Sequence, residues 1–186
     1  MSATKYAFAS EMTGDEIKSV RKMVKMTQQE FADFCNVSRK TVEHWESGKV
    51  NVTGPIVVLL RLITEDTSIP KHYSIPPQTT PLRILYMYKN DLCTLIDVDD
   101  RDETVKIRNY TNDNQFKAFG VITEPSYQDY LDFLEERCFP RTRDKIKIQL
   151  EAMELPFYDP MLIIEKTQGR MAEDYFWLDV IKRERE

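Results

Sequence analysis

Cysteine, histidine and glycine are scarce in this chain of 186 residues, which has three, two and five of them. Cys35, Cys93 and Cys138 are odd in number and far apart, with no CxxC pair. Neither a disulfide framework nor a Cys-rich zinc site is expected, and a reducing compartment fits. So few His and Gly leave no metal-spaced cluster, no Gly-rich phosphate loop and no catalytic constellation. No apolar run approaches the ~20 residues that span a bilayer, and Met1-Ser2-Ala3-Thr4-Lys5 lacks the apolar stretch of a secretory signal. The expectation is a cytoplasmic protein that is not an enzyme, without cofactor, metal ion or membrane partner.

What is present is apolar and charged in good measure. At 41% apolar and 31% charged, with nine Phe, nine Tyr and two Trp, wholesale disorder is excluded. The length suits one large or two small domains, each able to bury a core. Pro70, Pro76, Pro77 and Pro81 mark a linker over 69–82, because proline continues neither a helix nor an interior strand. The expected domains are therefore 1–68 and 83–186. The formal charge of −5, taken whole, argues against nucleic acid as a partner. Its distribution removes that objection. Residues 1–68 hold nine basic and nine acidic side chains, whereas 69–186 hold 17 and 22. Within 13–63 the balance is eight basic to six acidic.

The N-terminal segment reads as helices. Thr13 and Glu16 form a capping box, and Ile17, Val20 and Val24 follow at helical spacing. Thr27 and Glu30 form a second box, with Phe31, Ala32 and Cys35 on the inner side; Asn36 tolerates the left-handed turn that stops this helix. Ser38 caps a third helix that Gly48 ends, and Thr53-Gly54-Pro55 opens a fourth, with Ile56, Val57, Leu59, Leu60 and Ile63 apolar. Two short helices joined by three residues are the sequence form of a helix-turn-helix. At ~100° per residue, Arg39, Lys40, Glu43, His44 and Ser47 share one arc of about 140° on the third helix, opposite Val42 and Trp45. Such a face can enter a major groove. Glu46 is expected to pair with Arg21 or Lys22.

The stretch MTQQEFADFCNVSRKTVEHWESGKV, residues 26–50, resembles the XRE (lambda-repressor-like) helix-turn-helix family. The following TGPIVVLLRLI, 53–63, is similar to that family's HigA- and MqsA-type antitoxin branch. The resemblance implies that Arg39, Lys40 and His44 meet base edges, with a phosphate contact the open alternative for His44. It places Gln28, Ser38, Thr41 and Lys49 against DNA phosphates. Two departures stand out: Asn36 where Gly is commoner, and Glu43 on the reading arc, where it repels phosphate or accepts from a cytosine amino group.

Beyond the linker, 83–89, 92–98, 104–110 and 116–122 are rich in β-branched and aromatic residues and are separated by Asn/Asp turns, which predicts an antiparallel meander. Ser126 and Thr142 are expected to cap two helices, a short helix follows over 161–167, and Asp174 to Leu178 is a closing core element. The fold class expected is an all-α helix-turn-helix domain joined to a small α+β domain of antiparallel sheet plus helices. Residues 128–181, with PRTRD, LPFYDP and GRMAEDYFWL, faintly resemble a small module found beside HipA-like kinase genes. Arg141, Arg143 and Lys145 are candidates to grip phosphate or an acidic partner; pairing with Glu135, Glu136 and Asp144 is the open alternative. Asp97, Asp99, Asp100 and Asp102 alternate like cation ligands but lack the glycine and terminal Glu of a calcium loop, so a solvated turn is expected.

These readings converge on a sequence-specific DNA-binding regulator. Its expected partners are a palindromic double-stranded operator, a second copy of itself, and a toxin or nuclease held through 83–186. The alternative is a phage or mobile-element inhibitor of a nucleic-acid enzyme, anti-CRISPR-like, whose helix-turn-helix autoregulates its promoter.

Overall fold

The computed structural model describes residue 7 and residues 9–183; the Met1 to Lys5 stretch weighed above lies outside them. The chain forms two compact units, Met1–Ile75 and Pro76–Glu186.

In the first unit the capping boxes form as the sequence predicts. Thr13 opens α1 (Gly14–Met23) and Thr27 opens α2 (Gln28–Phe34), each accepting from the N–H three residues on while Glu16 or Glu30 reaches back. Asn36 takes φ 53°, and the Val37 N–H closes the turn on the Ala32 carbonyl at 2.9 Å. Ser38 then caps α3 (Arg39–Glu46). Gly54 at φ 93° sets up α4 (Pro55–Glu65), which begins on proline because the first-turn N–H needs no partner. Ile17, Val20, Phe31, Ala32, Val42, Val57, Leu60 and Ile63 make one core. Cys35 is only half-buried at the end of α2, and burial pushes its thiol up to about 11. Gly14 has a packing role: a Cβ there would lie 2.4 Å from the Trp45 carbonyl oxygen, so only glycine lets α1 start against the end of α3.

Two features of this unit were not expected. A short antiparallel pair, β1 (Glu11–Met12) and β2 (Val52–Thr53), brackets α1 to α3. Part of the stretch read as linker is helical: α5 (Ile69–Tyr73) carries Pro70, buried, in its first turn. Proline there starts a helix instead of breaking one.

The second unit is a four-stranded antiparallel sheet with helices. β3 (Leu82–Tyr88), β4 (Asp91–Asp99) and β5 (Thr104–Asn109) form the predicted meander. The fourth strand is β6 (Phe176–Lys182), giving the order β5-β4-β3-β6. Residues 116–122 are not a strand. Asp113 caps a 3-10 turn over Asn114–Phe116, the Ala118 N–H donates to the Thr94 hydroxyl, and Gly120 turns at φ 54°. Their aromatic content reflects rings packing onto the sheet: Phe119 is buried in the core with Phe116 against it. Ser126 caps α6 (Tyr127–Glu136) as expected. Thr142 does not cap α7 (Ile146–Ala152); Lys145 precedes that helix in the left-handed conformation, φ 62°, after a turn closed by Arg143 N–H on the Pro140 carbonyl. Asp159 caps α8 (Pro160–Thr167). The mixed α and α+β architecture is the one the sequence predicts. No helix among the described residues is long and apolar enough to cross a membrane.

Two buried arginines organise this unit, and sequence reading missed both. Arg83, 4% exposed, makes a two-pronged pair with Asp97 at 2.7 and 2.8 Å and donates to the Pro76 and Pro77 carbonyls. That engagement, with Tyr127 donating to Asp100 at 3.0 Å, gives two members of the aspartate series structural partners. The second, Arg137, ties the end of α6 to the start of β6.

Candidate nucleic-acid interface

α2, the Asn36 turn and α3 place a polar ridge on the surface. Arg39, Lys40, Glu43, His44 and Ser47 are all exposed, while Val42 is fully buried and Trp45 half-buried. The Ser38 hydroxyl accepts from the Thr41 N–H at 3.1 Å and shares a 2.8 Å bond with its hydroxyl, so both work as a cap. Lys49 is exposed just past the left-handed Gly48.

Glu43 has a partner on its own helix. The Arg39 Nε donates to its carboxylate at 2.9 Å, one turn apart, with side chains 59% and 45% exposed. An exposed i,i+4 pair of this kind contributes about 0.3–0.5 kcal/mol. A phosphate or guanine edge therefore competes with it readily, and Glu43 serves to orient Arg39 in the free protein.

Below the ridge, Glu46 joins three helices. Its carboxylate accepts from Arg21 of α1 at 2.6 and 3.0 Å and from the Gln28 amide of α2 at 2.9 Å. Arg21 also donates to the Met26 carbonyl at 2.9 Å. The two charged side chains are 13% and 6% exposed. Burial works to raise the Glu46 carboxyl, but the bonds from Arg21 and Gln28 outweigh it and hold it below its ordinary value. The sequence left Arg21 and Lys22 open as partners of Glu46, and Arg21 is the one that pairs. Sequence reading missed that Gln28, half-buried, spends its amide nitrogen here. The signal available was a Gln at the first position of α2 followed by a Glu at the end of α3.

In the second unit the three candidate cations do not form one patch. Arg141 pairs with Glu135 at 2.6 Å and lies 4.8 Å over the Tyr158 ring. Arg143 borders a different hollow, with Arg137 and Arg170, and Lys145 is exposed. Burial pushes the Cys138 thiol up to about 12 and raises Cys93, so both are poor nucleophiles at neutral pH. Among the described residues no group of three His, Cys, Asp or Glu could hold a metal ion.

This geometry is that of a helix-turn-helix, and residues 17–61 match the helix-turn-helix family HTH_3. The first unit thus carries an XRE-type helix-turn-helix. Its similarity extends to the HigA branch: Antitoxin HigA-2 of Vibrio cholerae is 34% identical over 58 residues, 31% of this chain and 56% of that protein. The match spans about half the length of that relative.

Proposed function

We propose that this protein is a sequence-specific DNA-binding transcriptional regulator, acting as a repressor of its own promoter, whose second unit binds a protein partner. The observation that carries the first part is the exposed ridge of α3, donors outward and Val42 inward, on a matched helix-turn-helix. Arg39, Lys40 and His44 read base edges, and Gln28, Ser38, Thr41 and Lys49 meet phosphates. A homodimer would read two half-sites one helical turn, ~34 Å, apart. The likeness, over 58 residues, to a protein named as an antitoxin supports a toxin as the partner, held through 83–186.

Footprinting on the upstream region of its own gene tests this reading; no protected site at any salt concentration would sink it. Arg39→Ala and Lys40→Ala should each weaken specific binding by about 1–3 kcal/mol. Because the Arg39 side chain bonds exposed Glu43 alone among the described residues, its removal should leave the unfolding midpoint nearly unchanged, separating recognition from stability. Co-expression with the neighbouring gene tests the antitoxin role. A host that is not rescued, with no co-purification, counts against it.

A further inference from the structure

A cavity of about 480 Å³ lies beside α6 in the second unit, bordered by the β4–β5 turn and the start of α8. Four carboxylates line it, those of Asp100, Asp132, Glu135 and Asp159, against the single guanidinium of Arg141. Each carboxylate is fixed by a neighbour. Tyr127 donates to Asp100 at 3.0 Å, Gln128 to Asp132 at 2.8 Å, Arg141 to Glu135 at 2.6 Å and the Leu162 N–H to Asp159 at 3.0 Å. An ionised carboxylate offers about four lone-pair sites, so all keep acceptor capacity toward the cavity.

Acidic residues alone would mark no more than a solvated surface. The second observation is Tyr130. It is 1% exposed, it lines the same wall, and its hydroxyl has no hydrogen-bond partner among the described residues. Burial, reinforced by the charge of Asp100, holds this phenol protonated well above its ordinary range. Its ring and that of Tyr127, with centroids 5.6 Å apart, give the cavity an aromatic side.

We propose that this cavity receives an arginine side chain from a basic segment of a protein partner. The inference rests on the reading that the second unit binds a protein, and it names the chemistry of the contact. Three negative charges in excess repel a phosphate backbone and attract a cation. Several fixed carboxylates beside an aromatic face suit a guanidinium above an ammonium. Its planar fork bonds carboxylates in pairs, it stacks on rings, and it sheds water more readily. Leu131 and Met161 offer apolar surface for the side-chain stem.

The test titrates the full-length protein with a capped Gly/Ser peptide carrying two arginines, following backbone amides by NMR. The same peptide with citrulline in place of arginine, and spermidine, serve as comparisons. Expected are saturable shifts confined to α6, the β4–β5 turn and the start of α8, absent with citrulline. Asp100→Asn combined with Asp132→Asn should weaken binding roughly tenfold or more. Tyr130→Phe, which removes only the hydroxyl, should weaken it several-fold while leaving amides far from the cavity unmoved. Shifts that never saturate, equal binding of the citrulline peptide, or spermidine binding as tightly at these residues would each overturn the proposal. Capture of the neighbouring gene's product that survives the double Asp variant would overturn the cavity's role and leave the partner-binding reading standing. Failure of the wild-type chain to capture it, with the arginine peptide not binding, removes both.

Discussion

Glu46→Ala is expected to destabilise the first unit by about 3–5 kcal/mol, because it leaves a buried guanidinium without its counter-charge. Among the described residues Arg21 would keep the Met26 carbonyl alone, and the Gln28 amide would lose its acceptor. The contrast with Arg39 and Glu43 sets the scale. Those side chains are 59% and 45% exposed and cost little to separate, whereas Arg21 and Glu46 are 13% and 6% exposed. Residue-resolved hydrogen exchange on the full chain reads the two units separately: protection in α1 to α3 should fall by the full amount, while β3 and β4 stay unchanged. A loss below about 1 kcal/mol would show that the pair is dispensable. DNA binding should fall with stability, since Glu46 fixes α3 against α1 and α2.

The same residue sets an acid limb. The folded carboxyl lies below its ordinary 4.5, so its contribution is present above that value and is lost as pH falls through the lower folded value. Glu46→Gln keeps hydrogen bonding to Arg21 without the charge. It should lower stability at neutral pH and flatten this limb, and a limb unchanged in the variant would assign it to other carboxylates.

The first unit was readable because its instructions are local. Thr13, Thr27 and Ser38 announce three helix starts within the turns they cap, and Asn36 stands where φ must be positive. The ridge of α3 follows from helical spacing alone. In the second unit the deciding contacts are distant in sequence. β6 pairs with β3 across the whole length of the unit, and Trp177 donates to the Lys89 carbonyl across 88 positions. Residues 116–122 have a strand's composition, yet among the described residues the outer edge of β5 stays unpaired and the fourth strand is β6, added to the other flank of β3; the rings of 116–122 pack onto the core instead. The α3 ridge was therefore visible in advance. The Glu46 junction was visible only in part, and the cavity at Tyr130 was not, because Asp100 and Asp159 reach it from separate elements.

Arg137→Ala should cost the second unit as much as Glu46→Ala costs the first, about 3–5 kcal/mol. Arg137 is 8% exposed and spends its guanidinium on three groups. Nε and one terminal nitrogen donate to the Gly169 carbonyl at 3.1 and 2.7 Å. Both terminal nitrogens reach the Asp174 carboxylate at 2.7 and 3.2 Å, and one also meets the Phe176 carbonyl at 3.0 Å. Those acceptors come from the end of α8 and the entry to β6, 32 to 39 positions away, so one side chain closes the sheet's fourth strand onto α6. Truncation leaves the Gly169 and Phe176 carbonyls without this donor, at about 1–3 kcal/mol for each unsatisfied group, while Asp174, 31% exposed, keeps water and the Phe176 N–H. Arg137→Lys retains the charge, but one ammonium cannot span the fork, so an intermediate loss is expected. Hydrogen exchange should show β6 amides losing protection first, with α1 to α3 unaffected. Asp174 supplies an independent check: the bond from Arg137 holds its carboxyl below the ordinary 3.8, so stability at this junction is lost as pH falls below that value. In Arg137→Ala that acid sensitivity should disappear along with the stability. Its persistence would mean that Asp174 is held by the Phe176 N–H alone, at 2.9 Å, and that the arginine is not what closes β6 onto the sheet.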